Sequence, residues 1–445
     1  MTAAADTGPR SWRGLTGVLA AQAAAWTGTR FAMIALPWFV LTTTGSAVQT
    51  GAVVAAQMGP YVIVQALAGP LIDRLGPRRV SITGDLVAAG AMATVPVLYF
   101  ANGLPLWMLM VLVAVVGAAD GPANAAKGVF IPQVTRAARV PLERGTGLSS
   151  ALERTASTVG PAVAGFVVAA VGGAYALWIT AAFLGIGSVI IAVALPRQDR
   201  PPQTDDAPVG YLTQLRQGAG FLRRDRLLRS IVGMVTVTNL LDAALFSVAL
   251  PVWAQSSGHG PAVIGVVASV MSGAAIATSV LAAMVGHRLP RRATYLVCFL
   301  IAGAPRFIVL ALGAPLWIVL AVHAVAGLGA GFVNPILGAV QFERIPAPLL
   351  GRVRTLSHAV MWSGIPLGGL VGGTLITVTG LAPALLLLGA GYLVATTLPG
   401  LQKEWSEMDG QGRGGAARPA STAGVAGQAG AGGDGASDAS RTAVS

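Results

Sequence analysis

The amino-acid sequence is built from long apolar segments, each close to the length that crosses a lipid bilayer. Of its 445 residues, 54% are hydrophobic and 10% are charged, and a mean hydropathy of +0.70 excludes an ordinary water-soluble domain. Because a bilayer-spanning helix needs about 20 apolar residues, the sequence predicts an all-α membrane protein with twelve transmembrane helices. The predicted spans lie near 14–41, 47–70, 79–101, 105–131, 146–171, 174–195, 230–254, 261–286, 293–312, 315–341, 353–378 and 381–400.

The loops between these spans alternate in charge. The loops at 42–46, 102–104, 172–174, 255–260, 313–314 and 379–380 contain no Lys, Arg, Asp or Glu. The intervening loops carry Arg74, Arg78, Arg79, Arg136, Arg139, Arg144, the arginines of 197–229, Arg288, Arg291, Arg292, Arg344, Arg352 and Arg354. By the positive-inside rule we expect the arginine-bearing loops to be cytoplasmic. An even number of spans then places both termini in the cytoplasm, with the chain in the inner (cytoplasmic) membrane.

Composition and motifs exclude several other classes of protein. The net charge of +12 comes from basic residues dispersed singly or in small clusters between apolar runs, which does not indicate a nucleic-acid partner. The one cysteine, Cys298, offers no disulfide framework. The sequence lacks H-E-x-x-H, G-x-S-x-G, a phosphate loop and a carboxylate cluster with metal-ligand spacing. We therefore expect no enzyme activity, no metal and no cofactor.

The two halves of the chain repeat each other at a constant offset of 214 residues. The matches include Leu36 with Leu250, Pro37 with Pro251, Gly51 with Gly265, Arg74 with Arg288 and Arg78 with Arg292. Such a repeat predicts two pseudo-symmetric six-helix bundles. We place them at 14–195 and 230–400.

The remaining segments are polar. We expect a cytoplasmic N-terminus at 1–13 and a cytoplasmic linker at 196–229. The linker ends in an amphipathic helix at the membrane surface, because leucines and arginines alternate at helical spacing over 211–229. The Gly/Ala/Ser-rich stretch 401–445 is predicted to be a disordered cytoplasmic tail.

The segment Gly69–Arg79, G-P-L-I-D-R-L-G-P-R-R, combines charge with helix breakers between two apolar stretches. It resembles the signature loop between the second and third helices of the major facilitator superfamily. The matching positions are Gly69, Asp73, Arg74, Gly76, Arg78 and Arg79. The resemblance implies a gate on the cytoplasmic side, in which Asp73 acts as a latch. The alternative for this segment is a simple topological turn. The first-helix region Ala35–Trp38 also looks like that of the macrolide- and siderophore-exporter branch.

Ionisable residues inside the spans are candidates for function, because a charge at the bilayer centre costs about 2.5–3.5 kcal/mol on insertion scales. The candidates for binding substrate or protons are Arg30, Asp120, Glu153, Arg154, Asp242 and His323. In the superfamily fold, helices one, four, seven and ten line the cavity, which puts Arg30, Asp120, Asp242 and His323 there. Arg306 falls on a peripheral helix and is interpreted as packing or snorkelling.

Each of these charged residues could instead have a purely structural role. Asp120 and Asp242 lie in opposite halves and could couple them through a proton or a cation. Static pairs, Arg30 with Asp242 or Asp120 with Arg154, would instead pin helices together. Glu153 is interpreted as part of a structural pair or a gate beside Arg154. A neutral His323 bonded to a neighbouring carbonyl is the alternative to a proton relay.

Small residues and prolines in the fifth and eleventh spans predict packing and hinge sites, because they permit close approach and bends. They are Gly160, Pro161, Gly165, Pro366, Gly368 and Gly369. Gly160-Pro161 resembles part of the fifth-helix motif of exporters, although Phe166 replaces its last glycine. Val113 stands where many proton-coupled exporters carry an arginine, which excludes coupling through that residue.

These features predict a secondary transporter that works as a monomer in the lipid bilayer. We expect it to export a small amphipathic compound by alternating access, with protons as the counter-ion. Uptake by symport is the alternative within the same fold. A non-transporting sensor or scaffold is the alternative from another class, and it would be expected to carry a folded soluble domain.

Overall fold

The computed structural model describes residues 12–195, 211–285, 289–346, 349–406 and 408, and every regular element within these ranges is helical. The predictions for the N-terminus up to residue 11, for 196–210 and for 409–445 lie outside the described residues. The first half contains α1 (Arg13–Thr44), α2 (Ala47–Ala66), α3 (Ala68–Leu75), α4 (Pro77–Phe100), α5 (Leu106–Val129), α6 (Ile131–Ala137), α7 (Leu142–Val171) and α8 (Gly173–Ala194).

The second half repeats this order after one additional helix. It contains α9 (Tyr211–Arg224), α10 (Arg226–Ala244), a π-helical turn (Leu245–Ala249), α11 (Leu250–Ser256), α12 (Pro261–Val285), α13 (Arg291–Ala302), α14 (Ala304–Ala311), α15 (Leu316–Arg344), α16 (Leu350–Trp362), α17 (Gly364–Thr379), α18 (Leu381–Leu401) and a 3₁₀ turn (Lys403–Ser406). The π turn precedes Pro251, which has no N–H for the carbonyl four residues earlier and so disturbs the regular helix there.

Eleven helical stretches in the described ranges are long and apolar enough to cross a membrane, and α1 completes a set of twelve. Helix α1 is less apolar because it carries Gln22, Thr27, Thr29 and Arg30, yet its 32 residues span about 48 Å. It packs along α7 and α8, inside the bundle. The prediction of an all-α membrane protein with twelve spans is confirmed.

Two predicted boundaries are corrected by local contacts. The seventh span begins at Arg226 rather than 230, because the Asp225 side chain accepts a hydrogen bond of 2.9 Å from the Leu228 N–H and caps α10. Order also continues past residue 400, where a disordered tail was expected. Trp405 is fully buried and its Nε1 donates to Ser230 Oγ at 3.0 Å, because its large ring finds an apolar site beside Tyr295.

The two faces of the bundle differ in charge. We call the face with the uncharged loops, near Gly45, Gly172 and Gly380, the neutral face. We call the face with the turns near Gly76 and Asp225 the basic face.

Ion pairs order the basic face of the second half. Arg291 holds Glu343 through two bonds of 2.5 and 2.8 Å, which keeps the pKa of the Glu343 carboxyl below its usual range. Asp225, besides capping α10, pairs with Arg344 at 2.8 Å. Helix α10 is thereby tied to the basic end of α15.

Two seams join the halves near the neutral face, one between α2 and α17 and one between α7 and α12. In the first seam, Gly51 lies so close to Gly369 that a Cβ at Gly51 would collide with the Gly369 carbonyl. In the second seam, Gly265 lies against the Pro161 carbonyl in the same way. Backbones approach this closely only where side chains are absent, so the neutral face is closed.

Toward the basic face the halves diverge. A cleft of about 570 Å³ lies between α2 and α5 of the first half and α15 and α16 of the second, with Gln65, Gln341 and Arg354 on its walls. The described part of the bundle is therefore closed at the neutral face and open at the basic face.

The neutral-face seam leads to a prediction for Gly51→Ala. The added methyl group collides with the α17 backbone, and we expect a cost of about 1–3 kcal/mol, seen as a lower thermal unfolding midpoint of the purified protein. Gly59→Ala on the same helix is the matched control, because its methyl group meets open space. Replacing glycine by alanine stabilises a helix by about 1 kcal/mol, and this gain is the same in both variants. Equal midpoints for the two would contradict the close seam.

Candidate functional site

A cavity of about 350 Å³ lies in the first half, roofed by α16 of the second half. Its walls come from α1, α2, α4, α5, α7 and α8, and three of the predicted residues, Arg30, Asp120 and Glu153, line it. Aromatic and thioether side chains form the remaining surface, among them Trp26, Met33, Met58, Tyr61, Met92 and Trp362. The cavity thus combines two carboxylates and one guanidinium with apolar, polarisable walls.

Two aromatic rings mark where the halves meet at this cavity. Tyr61 of α2 stacks on Trp362 of α16, with 6.3 Å between ring centroids and 22° between planes. His358 lies one turn earlier on α16, with its ring 4.8 Å from that of Trp362. Since His358 and Trp362 also line the basic-face cleft, these rings separate the cavity from the cleft.

Arg30 is held in the cavity wall by α7. Its guanidinium donates to Ser157 Oγ at 2.8 Å, and among the described residues its buried Nε has no partner. Gly160 leaves room for the arginine stem, since a Cβ there would lie 3.0 Å from Arg30 Cβ. The suggested static pair of Arg30 with Asp242 is wrong, because each side chain binds a different partner.

Asp120 on α5 is buried, with 6% of its surface exposed, and accepts a hydrogen bond of 2.8 Å from the Asn124 amide. The suggested pair of Asp120 with Arg154 does not form, since Arg154 is exposed and outside the cavity lining. Glu153 faces the cavity while Arg154 does not, because consecutive residues on a helix point in different directions. The suggested Glu153–Arg154 pair is therefore also wrong.

Sequence reasoning missed a buried ion pair next to Asp120. Lys127 Nζ on α5 lies 2.7 Å from Asp85 Oδ1 on α4, and the two side chains are 1% and 0% exposed. Within the described part of the chain, Asp85 Oδ2 has no hydrogen-bond partner. A signal was present in the sequence, because one acid and one base fall inside consecutive predicted spans.

Asp242 on α10 is engaged by Arg306 on α14 at 2.7 Å. Arg306 is 1% exposed and lies 5.6–5.9 Å from the ring centroids of Phe246, Phe307 and Tyr392. The interpretation of Arg306 as snorkelling is wrong, because the aromatic rings and the carboxylate together supply a buried site for the cation. Asp242 keeps about a third of its side chain exposed.

His323 on α15 is fully buried, and its Nδ1 lies 2.8 Å from the Val319 carbonyl. The ring of Phe246 lies edge-on to the His323 ring, with 6.5 Å between their centroids. Nε2 has no partner among the described residues, and His323 does not line the cavity. This geometry fits a neutral histidine bonded to a neighbouring carbonyl.

The signature segment forms the turn from α3 to α4. Gly76 has φ of 83°, where glycine is favoured, and Pro77 begins α4. Arg78 donates to the carbonyls of Leu195 and Ala192 at 3.0 and 2.8 Å and so caps the end of α8.

Arg292, the repeat partner of Arg78, donates to the Gly400 carbonyl at the end of α18 at 2.8 and 3.3 Å. The repeat therefore reproduces a helix-capping contact in both halves. Gly69, Arg74 and Arg79 are exposed, and the predicted latch of Asp73 falls on a side chain outside the described part of the chain.

The predicted packing residues have separate places. Gly165 lies against Pro261 and Ala262 in the α7–α12 seam, and Gly369 against Gly51 in the α2–α17 seam. Gly368 faces the Leu240 carbonyl of its own half instead. Pro366 lies in the first turn of α17, where its missing N–H costs no helical hydrogen bond.

The family model of the Major Facilitator Superfamily matches residues 18–241 and 232–404 of this chain. This chain belongs to the major facilitator superfamily. It is 30% identical over 394 residues to the multidrug efflux pump Tap of Mycobacterium tuberculosis, covering 87% of this chain and 93% of Tap. It is 24% identical over 368 residues to macrolide efflux protein A of Streptococcus pyogenes, covering 79% of this chain and 86% of that protein.

Solved structures agree on the fold of this superfamily member. A mutant of the nucleoside transporter NupG matches with a TM-score of 0.71 at 15% identity, over 86% of this chain and 98% of NupG. An inward-facing, unoccupied bacterial homologue of the human lysosomal transporter Spinster matches with a TM-score of 0.70 at 12% identity. The match covers 91% of this chain and 99% of that homologue. The chain is a multi-pass membrane transporter of small molecules and not an enzyme.

We expect Asp242→Asn to destabilise the protein, because it leaves Arg306 buried without a counter-charge. Breaking a buried pair costs about 3–5 kcal/mol, and the partial exposure of Asp242 favours the lower end. The thermal unfolding midpoint should fall by several degrees. Asp242→Asn/Arg306→Met, which removes both charges, should recover most of the loss. A single variant as stable as the parent but inactive in export would show that Asp242 acts in coupling instead.

Proposed function

We propose that this transporter exports small amphipathic compounds across the inner (cytoplasmic) membrane by alternating access, with protons moving in the opposite direction. The observation that carries the proposal is the charged, aromatic-lined cavity, which is closed toward the neutral face and lies next to a cleft at the basic face, with the rings of His358 and Trp362 between them. Two relatives, a multidrug efflux pump and a macrolide efflux protein, support export as the direction of transport.

The basic face is the cytoplasmic face in this proposal, because arginine-bearing turns are retained on the cytoplasmic side during insertion. Both termini then lie in the cytoplasm, and the open cleft faces the compartment from which an exporter takes its cargo. Closing the basic face would require the halves to rock about the glycine seams at Gly51 and Gly265. We assign the closing of that face in the outward-facing state to the turn at Asp73 and Arg74.

The cavity favours a cargo with a flat apolar part and a positive charge. Trp26, Tyr61 and Trp362 offer ring faces to aromatic or cationic groups. The carboxylates of Asp120 and Glu153 outnumber the one guanidinium of Arg30, so a cation is favoured over an anion.

Asp120 is the residue we assign to proton coupling. It is buried, lines the cavity, and accepts a hydrogen bond from the Asn124 amide. A proton and a cationic cargo would compete for its carboxylate, and such competition between two ligands for one site links their movements. Asp242, held by Arg306, and His323, bonded to Val319, are assigned to holding the second half together.

We expect Asp120→Asn to abolish the dependence of transport on a pH gradient. Everted vesicles or proteoliposomes loaded with ethidium, with and without an imposed gradient, measure it. Transport by the parent should respond to the gradient, and transport by Asp120→Asn should not. Glu343→Gln is the control, because it also replaces a carboxylate by an amide, in an exposed pair outside the cavity. Parent transport that ignores the gradient would refute proton antiport, and movement only toward the basic side would indicate uptake.

We expect Glu153→Gln to weaken binding of cationic cargo by about tenfold to a hundredfold, because a charge-assisted contact is worth about 1.5–3 kcal/mol. An uncharged amphipathic compound of similar size should be affected less than twofold. Tryptophan-fluorescence titration of the purified variant with ethidium and with an uncharged dye distinguishes the two. A similar loss for both compounds would mean that Glu153 shapes the cavity without selecting for charge.

A further inference from the structure

A second crevice lies on the outer surface of the second half, between α10 and α18 at the basic face. Its volume is about 730 Å³, and it shares no lining residue with the central cavity. Val237, Leu398 and Leu401 are exposed on these two helices, as expected for surfaces in contact with lipid tails. The crevice therefore opens sideways into the bilayer and is unconnected with the transport path.

The mouth of the crevice is basic. Arg226 and Arg229 stand three residues apart on α10 and so share one face of the helix. Glu404 is the acidic side chain of the lining, and it lies 3.7 Å from an Arg226 that is 75% exposed. An exposed pair of this length contributes little. Arg229 uses Nη1 to donate to the Arg223 carbonyl at 3.0 Å, which orients its guanidinium.

Below the mouth the lining is mainly apolar. It includes two small residues, Gly233 of α10 and Ala395 of α18, and a Cβ built at Gly233 meets no atom within 4 Å. Buried Met234 and exposed Val237 continue the wall. In a phospholipid, an acyl chain extends from a charged phosphate. An apolar groove below two arginines has the matching arrangement.

The segment directly after α18 holds the crevice open. Trp405 is anchored between Ser230, at 3.0 Å, and Tyr295, and thereby fixes Gln402 and Glu404 across from α10. Exposed Arg216, Arg223 and Arg224 on α9 add positive charge at the same level. Basic segments at this depth attract anionic leaflets.

We propose that this crevice binds a phospholipid with an anionic headgroup. Arg226 and Arg229 hold the phosphate, and one acyl chain lies along Gly233 and Ala395. A free phosphate would need only the arginines, whereas the groove adds apolar contact that only a lipid uses. A zwitterionic headgroup would bring its own cation toward two arginines and is disfavoured.

Native mass spectrometry of the purified full chain tests the proposal, with phosphatidylglycerol and phosphatidylcholine of identical acyl chains as probes. We expect one phosphatidylglycerol to bind at least tenfold more tightly than phosphatidylcholine. The double variant Arg226→Gln/Arg229→Gln should bind phosphatidylglycerol about tenfold more weakly than the parent. Arg136→Gln/Arg144→Gln, which removes two exposed arginines from the basic face of the first half, should bind like the parent.

Gly233→Leu tests the groove separately, because it fills the open space and keeps both arginines. It should weaken phosphatidylglycerol by a factor similar to that of the arginine variant, and thermal unfolding without added lipid checks that each variant folds. Equal losses in the two arginine pairs would overturn the proposal. So would Gly233→Leu binding like the parent, or glycerol 3-phosphate displacing the lipid at an equal concentration, which would leave only a free-anion site.

Discussion

A charge inside a lipid bilayer is costly unless an opposite charge or a polar cavity meets it within the bundle. Five of the described ionisable groups in the spans meet this constraint in two ways. Asp85 with Lys127, and Asp242 with Arg306, form ion pairs of 2.7 Å between neighbouring helices. Asp120 instead faces a cavity. The helices that carry these groups must stay in register, since sliding one past another would separate the paired charges inside the bundle.

The two halves use this constraint differently although they repeat in sequence. At the offset of 214, Asp242 and Arg306 correspond to Gly28 and Met92. Gly28 and Met92 both line the central cavity, whereas their counterparts form a closed pair surrounded by aromatic rings. In the first half, Gly28 and Met92 leave space for a cavity. In the second half, the Asp242–Arg306 ion pair and the aromatic rings around it fill the corresponding space. The asymmetry of the cavity thus follows from these substitutions between the halves.

Glycine residues join the two halves at the neutral face, and arginine residues stabilise each half at the basic face. At the neutral face, backbones meet directly, as at Gly51 and Gly369, and leave no room for water. At the basic face, Arg78 and Arg292 cap the last helix of each half and keep each bundle intact where the halves separate. Rigid halves joined by close seams at one face are what rocking between two states requires.

Sequence alone determined the number of spans, their order, the two-fold repeat and the difference between the faces, because these depend on local apolarity and charge. It also pointed to Arg30, Asp120 and Glu153, because an intramembrane charge stands out among apolar neighbours. Only the tertiary structure decided the partners. Asp242 meets Arg306 rather than Arg30, since pairing depends on which helices are adjacent in space, and a charge pattern along the chain carries no record of that adjacency.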